Sequence, residues 1–202
     1  MVFFEPQSRD RRLLPHDPFK ALIAPRPIGW ISSVDRAGAV NLAPYSFFNA
    51  VADRPPMLAF SSIGVKDSVA FIEETGAFVW NMATWPLRAA MNVSSKPLAR
   101  GENEFLHAGL AMAPCRLVKP PRVAASPCAM ECVVTQISVL KTKEGRDTDV
   151  WLVVGEVVGV HLDPAFIEDG VVQTAAMQPI ARCGYRADYT VTNALFQMER
   201  PD

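Results

Sequence analysis

Ala129-Met130-Glu131-Cys132-Val133-Val134-Thr135-Gln136-Ile137-Ser138-Val139-Leu140-Lys141-Thr142 is a long run rich in β-branched and apolar residues. Val150-Trp151-Leu152-Val153-Val154-Gly155-Glu156-Val157-Val158-Gly159-Val160-His161-Leu162 is a second. Both lack proline, and both suit a pleated, half-buried surface better than a helix. Between them Lys143-Glu144-Gly145-Arg146-Asp147 supplies a polar turn with a glycine. The pattern predicts a long antiparallel hairpin, and a fold built around strands.

Outward from this hairpin, the seventeen prolines favour short strands over long helices. Residues 28–34 read as a strand, 35–38 as a hairpin turn, 40–43 as its return and 57–61 as a further strand. Residues 67–76 read as a helix, with Asp67 or Ser68 as its cap and Gly76 at its stop. Residues 78–83 are extended. A second helix is expected from Pro86, and a third over 102–107. Residues 114–127 read as extended, and 179–192 close the fold. An arm over 1–24 is expected to be extended. With no Gly-x-Gly-x-x-Gly and no P-loop, a mostly antiparallel barrel with helices over its mouth fits better than a doubly wound parallel sheet. The 202 residues suit one domain.

Half the residues are hydrophobic, 20% are charged and the formal net charge is −1. That balance offers no electrostatic footprint for nucleic acid or an anionic membrane. No apolar stretch approaches a membrane span, and the N-terminus lacks a basic leader, so a cytoplasmic protein is expected. Cysteines 115, 128, 132 and 183 form no C-x-x-C pair, and three histidines show no ligand cluster. Buried free thiols and no metal are expected.

Asn41-Leu42-Ala43-Pro44-Tyr45-Ser46-Phe47-Phe48-Asn49 stands apart. Pro44 removes a donor, and Tyr45, Phe47 and Phe48 crowd beside the turn-prone Ser46 and Asn49. This stretch reads as a bend and not as a strand. It is either an aromatic-plugged corner or a loop that meets a flat, polar-edged heterocycle. Ser61, Ser62, Lys66, Asp67 and Ser68 precede or open a helix, which reads as an anion cradle or as an ordinary capped surface helix. Arg26 and Arg182 are surface charges or ligands to a phosphate or ring edge. Trp30 is a core residue or a stacking partner. Alternation puts His161 on one face with Trp151, Val153, Gly155, Val157 and Gly159, and two glycines on that face imply close approach of a backbone, a subunit or a ligand. No Ser–His–Asp or Cys–His arrangement stands out, so any chemistry is expected from a bound cofactor.

Taken together, Pro25-Arg26-Pro27-Ile28-Gly29-Trp30-Ile31-Ser32-Ser33, the 41–49 stretch, Lys66-Asp67-Ser68 with Phe78-Val79-Trp80-Asn81, Gly155-Glu156-Val157-Val158-Gly159-Val160-His161 and Pro179-Ile180-Ala181-Arg182 resemble the flavin reductase-like FMN-binding split-barrel family. The likeness is to its flavoredoxin and two-component monooxygenase reductase branch. The resemblance implies a mainly β, six-stranded antiparallel Greek-key split barrel with a few peripheral helices over 25–192. It also implies a homodimer with FMN near the interface. Ser46, Phe47, Phe48 and Asn49 would meet the isoalloxazine edge, and Ser61, Ser62, Lys66, Asp67 and Ser68 the phosphate. Arg26, Trp30, Asn81, His161 and Arg182 would stand around the ring, the ribityl chain or the dimer seam. Ser68 replaces the family's usual threonine, and Ala125 stands where glutamate is expected. The implied activity is hydride transfer from NADH or NADPH to FMN, with a flavin-dependent monooxygenase as partner. The alternatives are a flavoredoxin-type electron-transfer protein and a barrel that binds another heterocycle or serves only as a dimeric scaffold. No residue assigned from the sequence separates NADH from NADPH.

Overall fold

Seven strands share one sheet: β1 (Gly29–Val34), β2 (Val40–Tyr45), β3 (Phe48–Asp53), β4 (Pro56–Ile63), β5 (Ala77–Asn81), β6 (Cys128–Lys141) and β7 (Asp147–Leu162). The computed structural model describes residues 1–201. Across the sheet the order is β2-β1-β5-β6-β7-β4-β3, and every neighbouring pair is antiparallel. The β6–β7 hairpin turns where the polar tip lies, with Gly145 at φ 80° and its N–H donating to Thr142 O at 2.9 Å.

Strands β2 and β3 occupy opposite ends of this order, yet only Ser46 and Phe47 connect them. Three peptide steps span at most about 11 Å. Seven strands laid flat would separate their edges by about 29 Å. The sheet must therefore curl until its two edges meet at that corner. The contact is tight: a Cβ on Gly29 of β1 would lie 2.7 Å from the Phe48 ring of β3.

Curling gives the sheet an inside, where Ile31, Tyr45, Leu58, Phe60, Phe78, Cys132 and Val153 pack together. The helix α1 (Asp67–Thr75) adds Val69 and Ile72 to that core. It ends at Gly76, whose φ of 71° suits glycine and whose N–H donates to Ile72 O at 2.8 Å. A second core forms on the other face of β1, under α2 (Arg88–Val93) and α3 (Glu104–His107), from Ile28, Trp30, Leu42, Met91, Phe105, Val123 and Ile180. All six residues of β1 are buried for this reason. A separate three-stranded sheet joins Arg26–Pro27, Ile180–Arg182 and Tyr189–Val191. Among the described residues, no helix is long and apolar enough to cross a membrane.

Several expectations need correction. The 41–49 stretch is strand up to Tyr45 and again from Phe48, so the bend is only Ser46 and Phe47. Pro44 is tolerated because β2 is an edge strand, where a missing N–H costs no ladder bond. The sheet has seven strands and not six, since the edge strand β3 pairs with β4. The arm is not wholly extended: Pro6–Ser8 and Phe19–Leu22 are short helical turns. The N-cap of α1 is Lys66, with no side-chain cap, so neither Asp67 nor Ser68 fills that role. The helix expected from Pro86 starts at Arg88, and the one over 102–107 starts at Glu104, where Asn103 Oδ1 accepts from Phe105 N.

The expected His161 face is also broken. A β-bulge between Val157 and Gly159 flips the alternation, because Val157 stands opposite Cys132 while Gly159 stands opposite Glu131. Val153, Gly155 and Val157 therefore look into the core, whereas Gly159 and His161 share the outer face with Glu131. The close approach at Gly155 is to the chain's own Phe78, 2.5 Å from where a Cβ would stand.

Candidate functional site

The corner where the two sheet edges meet opens a cavity of about 390 Å³. Phe47, Phe48, Phe60 and Leu152 give it apolar walls, and Ser46, Asn49, Ser61 and Arg26 give it polar ones. Phe48 is held flat by stacking on Trp80, with centroids 5.8 Å apart and planes at 9°. Phe47 is 40% exposed, and Lys20 Nζ lies 5.8 Å from its ring centroid. The Arg26 guanidinium donates to the carbonyls of Lys20 and Ile23, which ties the N-terminal arm over the cavity. Phe19, Lys20 and Ile23 line it too, and nothing in their local sequence marked them. Flat aromatic walls with a polar rim suit a planar heterocycle with hydrogen-bonding edges.

A second cavity, of about 370 Å³, begins where the first ends in sequence. Asn41, Ala43, Pro44 and Tyr45 line it along β2, with Lys66, Asp67 and Ser68 at the start of α1 and Ser94, Ser95 and Lys96 after α2. The N-terminus of α1 has no side-chain cap, so its first N–H groups and two lysines face this space. Ser68 Oγ donates to Asn41 Oδ1 at 2.6 Å, Asn41 Nδ2 donates to Glu104 Oε1 at 3.0 Å, and Leu42 N donates to Glu104 Oε2 at 3.0 Å. Burial raises the Glu104 pKa against these hydrogen bonds. Tyr45 Oη is buried with no hydrogen-bond partner. Burial raises its pKa as well, with the nearby Ser68 and Ser62 hydroxyls acting the other way. The Ser62 and Ser68 hydroxyls beside this phenol donate to Gly64 O and Asn41 Oδ1, and their oxygens are still able to accept from it.

The residues singled out in the sequence do not all converge. Ser46, Phe47, Phe48, Asn49, Ser61 and Arg26 line the corner cavity, and Lys66, Asp67 and Ser68 line the second. The expected Ser61–Ser68 cradle is divided: Ser62 is buried and donates to Gly64 O at 3.0 Å, and Asp67 pairs with Arg100 at 3.1 Å. Trp30 is fully buried, with Nε1 donating to Ser94 Oγ at 2.9 Å. Asn81 is fully buried, donating to Trp30 O and accepting from Val123 N. Both are core residues whose polar atoms are satisfied within the chain. Arg182 lies in another cavity, with Trp85, Arg88 and Tyr189.

His161 stands away from the corner, with Nε2 2.6 Å from Glu131 Oε1. Cys115, Glu131 and His161 place ligand-type atoms within 4.8 Å of one another. The Glu131 carboxylate already accepts from the N–H groups of Arg116, Leu117 and Val118. Burial pushes the Cys115 thiol up to about 11, Cys128 to about 11 and Cys132 to about 12. Thiols held in the protonated form make poor metal ligands and poor nucleophiles.

A model of the flavin reductase like domain matches residues 22–177. An uncharacterized protein of Deinococcus radiodurans is 35% identical, over 96% of this chain and 86% of its own. The crystal structure of nitrilotriacetate monooxygenase component B from Bacillus cereus superposes with a TM-score of 0.86 at 29% identity, covering 98% of both chains. A protein with a split barrel domain from Shewanella frigidimarina NCIMB 400 shares the fold, with a TM-score of 0.84 at 20% identity and full coverage of both chains.

Proposed function

The chain belongs to the flavin reductase-like domain family, and from that premise we propose that it is an NAD(P)H:FMN oxidoreductase that binds FMN at the corner between β2 and β3. The observation that carries this reading is the pairing of two cavities whose linings are consecutive in sequence at Tyr45 and Ser46. One is aromatic-walled with a polar rim, and the other is bounded by Lys66, Lys96 and an uncapped helix start. Those residues fit the two chemically different ends of FMN. Phe47 and Phe48 would flank the planar ring, and Ser46, Asn49 and Ser61 would meet its polar edge. Lys66, Lys96 and the first N–H groups of α1 would hold the phosphate.

When bound, FMN supplies a hydride acceptor at N5 for the electron pair leaving C4 of a reduced nicotinamide. The chain's part is to hold the reacting faces in contact and to set hydrogen-bond donors where negative charge collects. In this reading the curled sheet is a Greek-key split barrel, two copies form a homodimer, and reduced FMN passes to a flavin-dependent monooxygenase. The last point rests on likeness to a protein described as a monooxygenase component B.

The test is oxidation of NADH and of NADPH by the purified protein, with and without added FMN, together with an anaerobic stopped-flow trace of flavin absorbance. At least one nucleotide should bleach the bound flavin, and turnover should rise with free FMN. If the protein holds FMN and neither nucleotide reduces it, the reductase reading fails and an electron carrier reduced by another protein replaces it.

A further inference from the structure

Distinct from the corner cavity, Trp85, Arg88, Asn92, Arg182, Arg186 and Tyr189 line the largest cavity of the chain among those described, about 840 Å³. Three guanidinium groups border this space, and among the described residues no carboxylate does. None of the three arginines forms an ion pair among the described residues. Two are fixed against aromatic faces. The Arg88 guanidinium lies 3.9 Å from the Trp85 ring centroid, and the Arg182 guanidinium lies 4.7 Å from that of Tyr189. Arg88 also donates to Trp85 O at 2.7 Å, and Arg182 to Tyr189 Oη at 2.9 Å. Stacking orients a planar fork in advance and leaves its remaining donors for a ligand. Arg182 Nε is buried without a partner. Like charges gathered with no counter-charge repel one another, which favours an anion in their midst.

The sequence hides this cluster, because its members come from α2, from the strand Ile180–Arg182 and from the turn after it. The cavity is also near the flavin corner. Arg182 stands directly opposite Arg26 in the ladder between their strands, and Arg26 lines the corner cavity. Adjacent strands therefore carry walls of both cavities.

We infer that this cavity binds the 2′-phosphorylated adenosine end of a reduced dinucleotide, which makes NADPH the electron donor. The inference rests on the oxidoreductase reading for the identity of the donor, but not for the site. Three guanidiniums carry a formal charge of +3; the 2′-phosphate monoester carries about −1.5 to −2 at neutral pH and the adjoining phosphate of the pyrophosphate bridge about −1, so the two together come close to balancing the cluster. Trp85 and Tyr189, which are 47% and 40% exposed, keep aromatic area for a purine beside the guanidiniums that stack on them. An extended nucleic acid is a poorer match, since the chain has a formal net charge of −1.

The test titrates the full chain with adenosine 2′,5′-bisphosphate and with 5′-AMP by calorimetry. The same titrations are made on Arg88→Ala and Arg186→Ala, both exposed positions, with circular dichroism to check that each variant is folded. The bisphosphate should bind at least about 10-fold tighter than 5′-AMP, and each substitution should weaken it by about 10- to 100-fold. FMN affinity should not change. The ratio of kcat/KM for NADPH to that for NADH should fall toward one in both variants. Equal affinity for the two nucleotides, or bisphosphate binding indifferent to both substitutions, overturns the site. If neither dinucleotide reduces flavin while the bisphosphate binds through these arginines, the nucleotide site stands and only the reductase reading falls. If flavin is reduced equally well by both dinucleotides and the bisphosphate does not bind, the site falls and the reductase reading stands.

Discussion

Glu131 is 1% exposed, and burial alone would keep such a carboxyl neutral. Hydrogen bonds from the N–H groups of Arg116, Leu117 and Val118, at 2.9, 2.6 and 3.0 Å, and from His161 outweigh burial and hold its pKa below the usual carboxylate range. A depressed folded-state pKa stabilises the protein above the unfolded value, and the contribution is lost as pH falls through the folded value. Glu131→Gln should cost about 1.5–3 kcal/mol at pH 7, the range for hydrogen bonds to a charged group. The gap between wild type and variant should then narrow as pH drops below about 4.3. Glu104, whose pKa burial raises, has the opposite sign of pH dependence, but it is present in both proteins and cancels. Urea denaturation at several pH values checks this, and a pH-independent gap would show that Glu131 is not ionised in the fold. The sequence did not mark Glu131. Its donors come from a loop at residues 116–118, and the bulge that aims His161 at it is invisible in a strand read by alternation.

The uncapped start of α1 bears most directly on what the second cavity holds. Lys66→Ala should weaken FMN binding by about 1.5 kcal/mol, the low end for a charged hydrogen bond because Lys66 is exposed, and leave riboflavin affinity unchanged. Lys96 lines the same cavity, so the double alanine variant should lose more, again only for FMN. Fluorescence titration with both flavins is the measurement, and equal losses for the two would place neither lysine at the phosphate. At this scale local chemistry made much of the fold readable. The β6–β7 hairpin follows from β-branched runs around a glycine turn, and Gly76 marks the end of α1. Elements set by tertiary position were not readable. Pro44 argued against a strand until β2 proved to be an edge, and Trp30 is core because α2 and α3 cover β1. The two cavities inherit this divide. The Ser46–Asn49 part of the aromatic corner is contiguous in sequence and was legible, whereas Lys20 and Ile23 reach the corner, and Lys96 and Glu104 the second cavity, only through folding.

A folded monomer of 22.1 kDa is expected to expose about 9,300 Å². The lone chain exposes 12767 Å², an excess of about 3,400 Å² by the same scaling. That excess has identifiable sources. Leu195, Phe196 and Met198 lie exposed in the segment after Tyr189–Val191, which has no regular secondary structure, and Ile167, Val171 and Val172 are exposed in a small hairpin. Apolar segments of this kind gain free energy when covered, at about 25 cal/mol per Å². Obligate dimers bury about 2,000–5,000 Å² in total, a range that the excess on two chains reaches easily. The glycine face of β7 supplies no such argument, since Gly155 accommodates Phe78 of the same chain. The proposed homodimer therefore rests on the tail and hairpin. Sedimentation velocity at micromolar concentration should give a dimer, and a chain ending at Thr192 should shift toward monomer while keeping the sheet's circular dichroism. If the full chain loaded with FMN sediments as a stable monomer at that concentration, the dimer is wrong, and the flavin corner is complete within one copy.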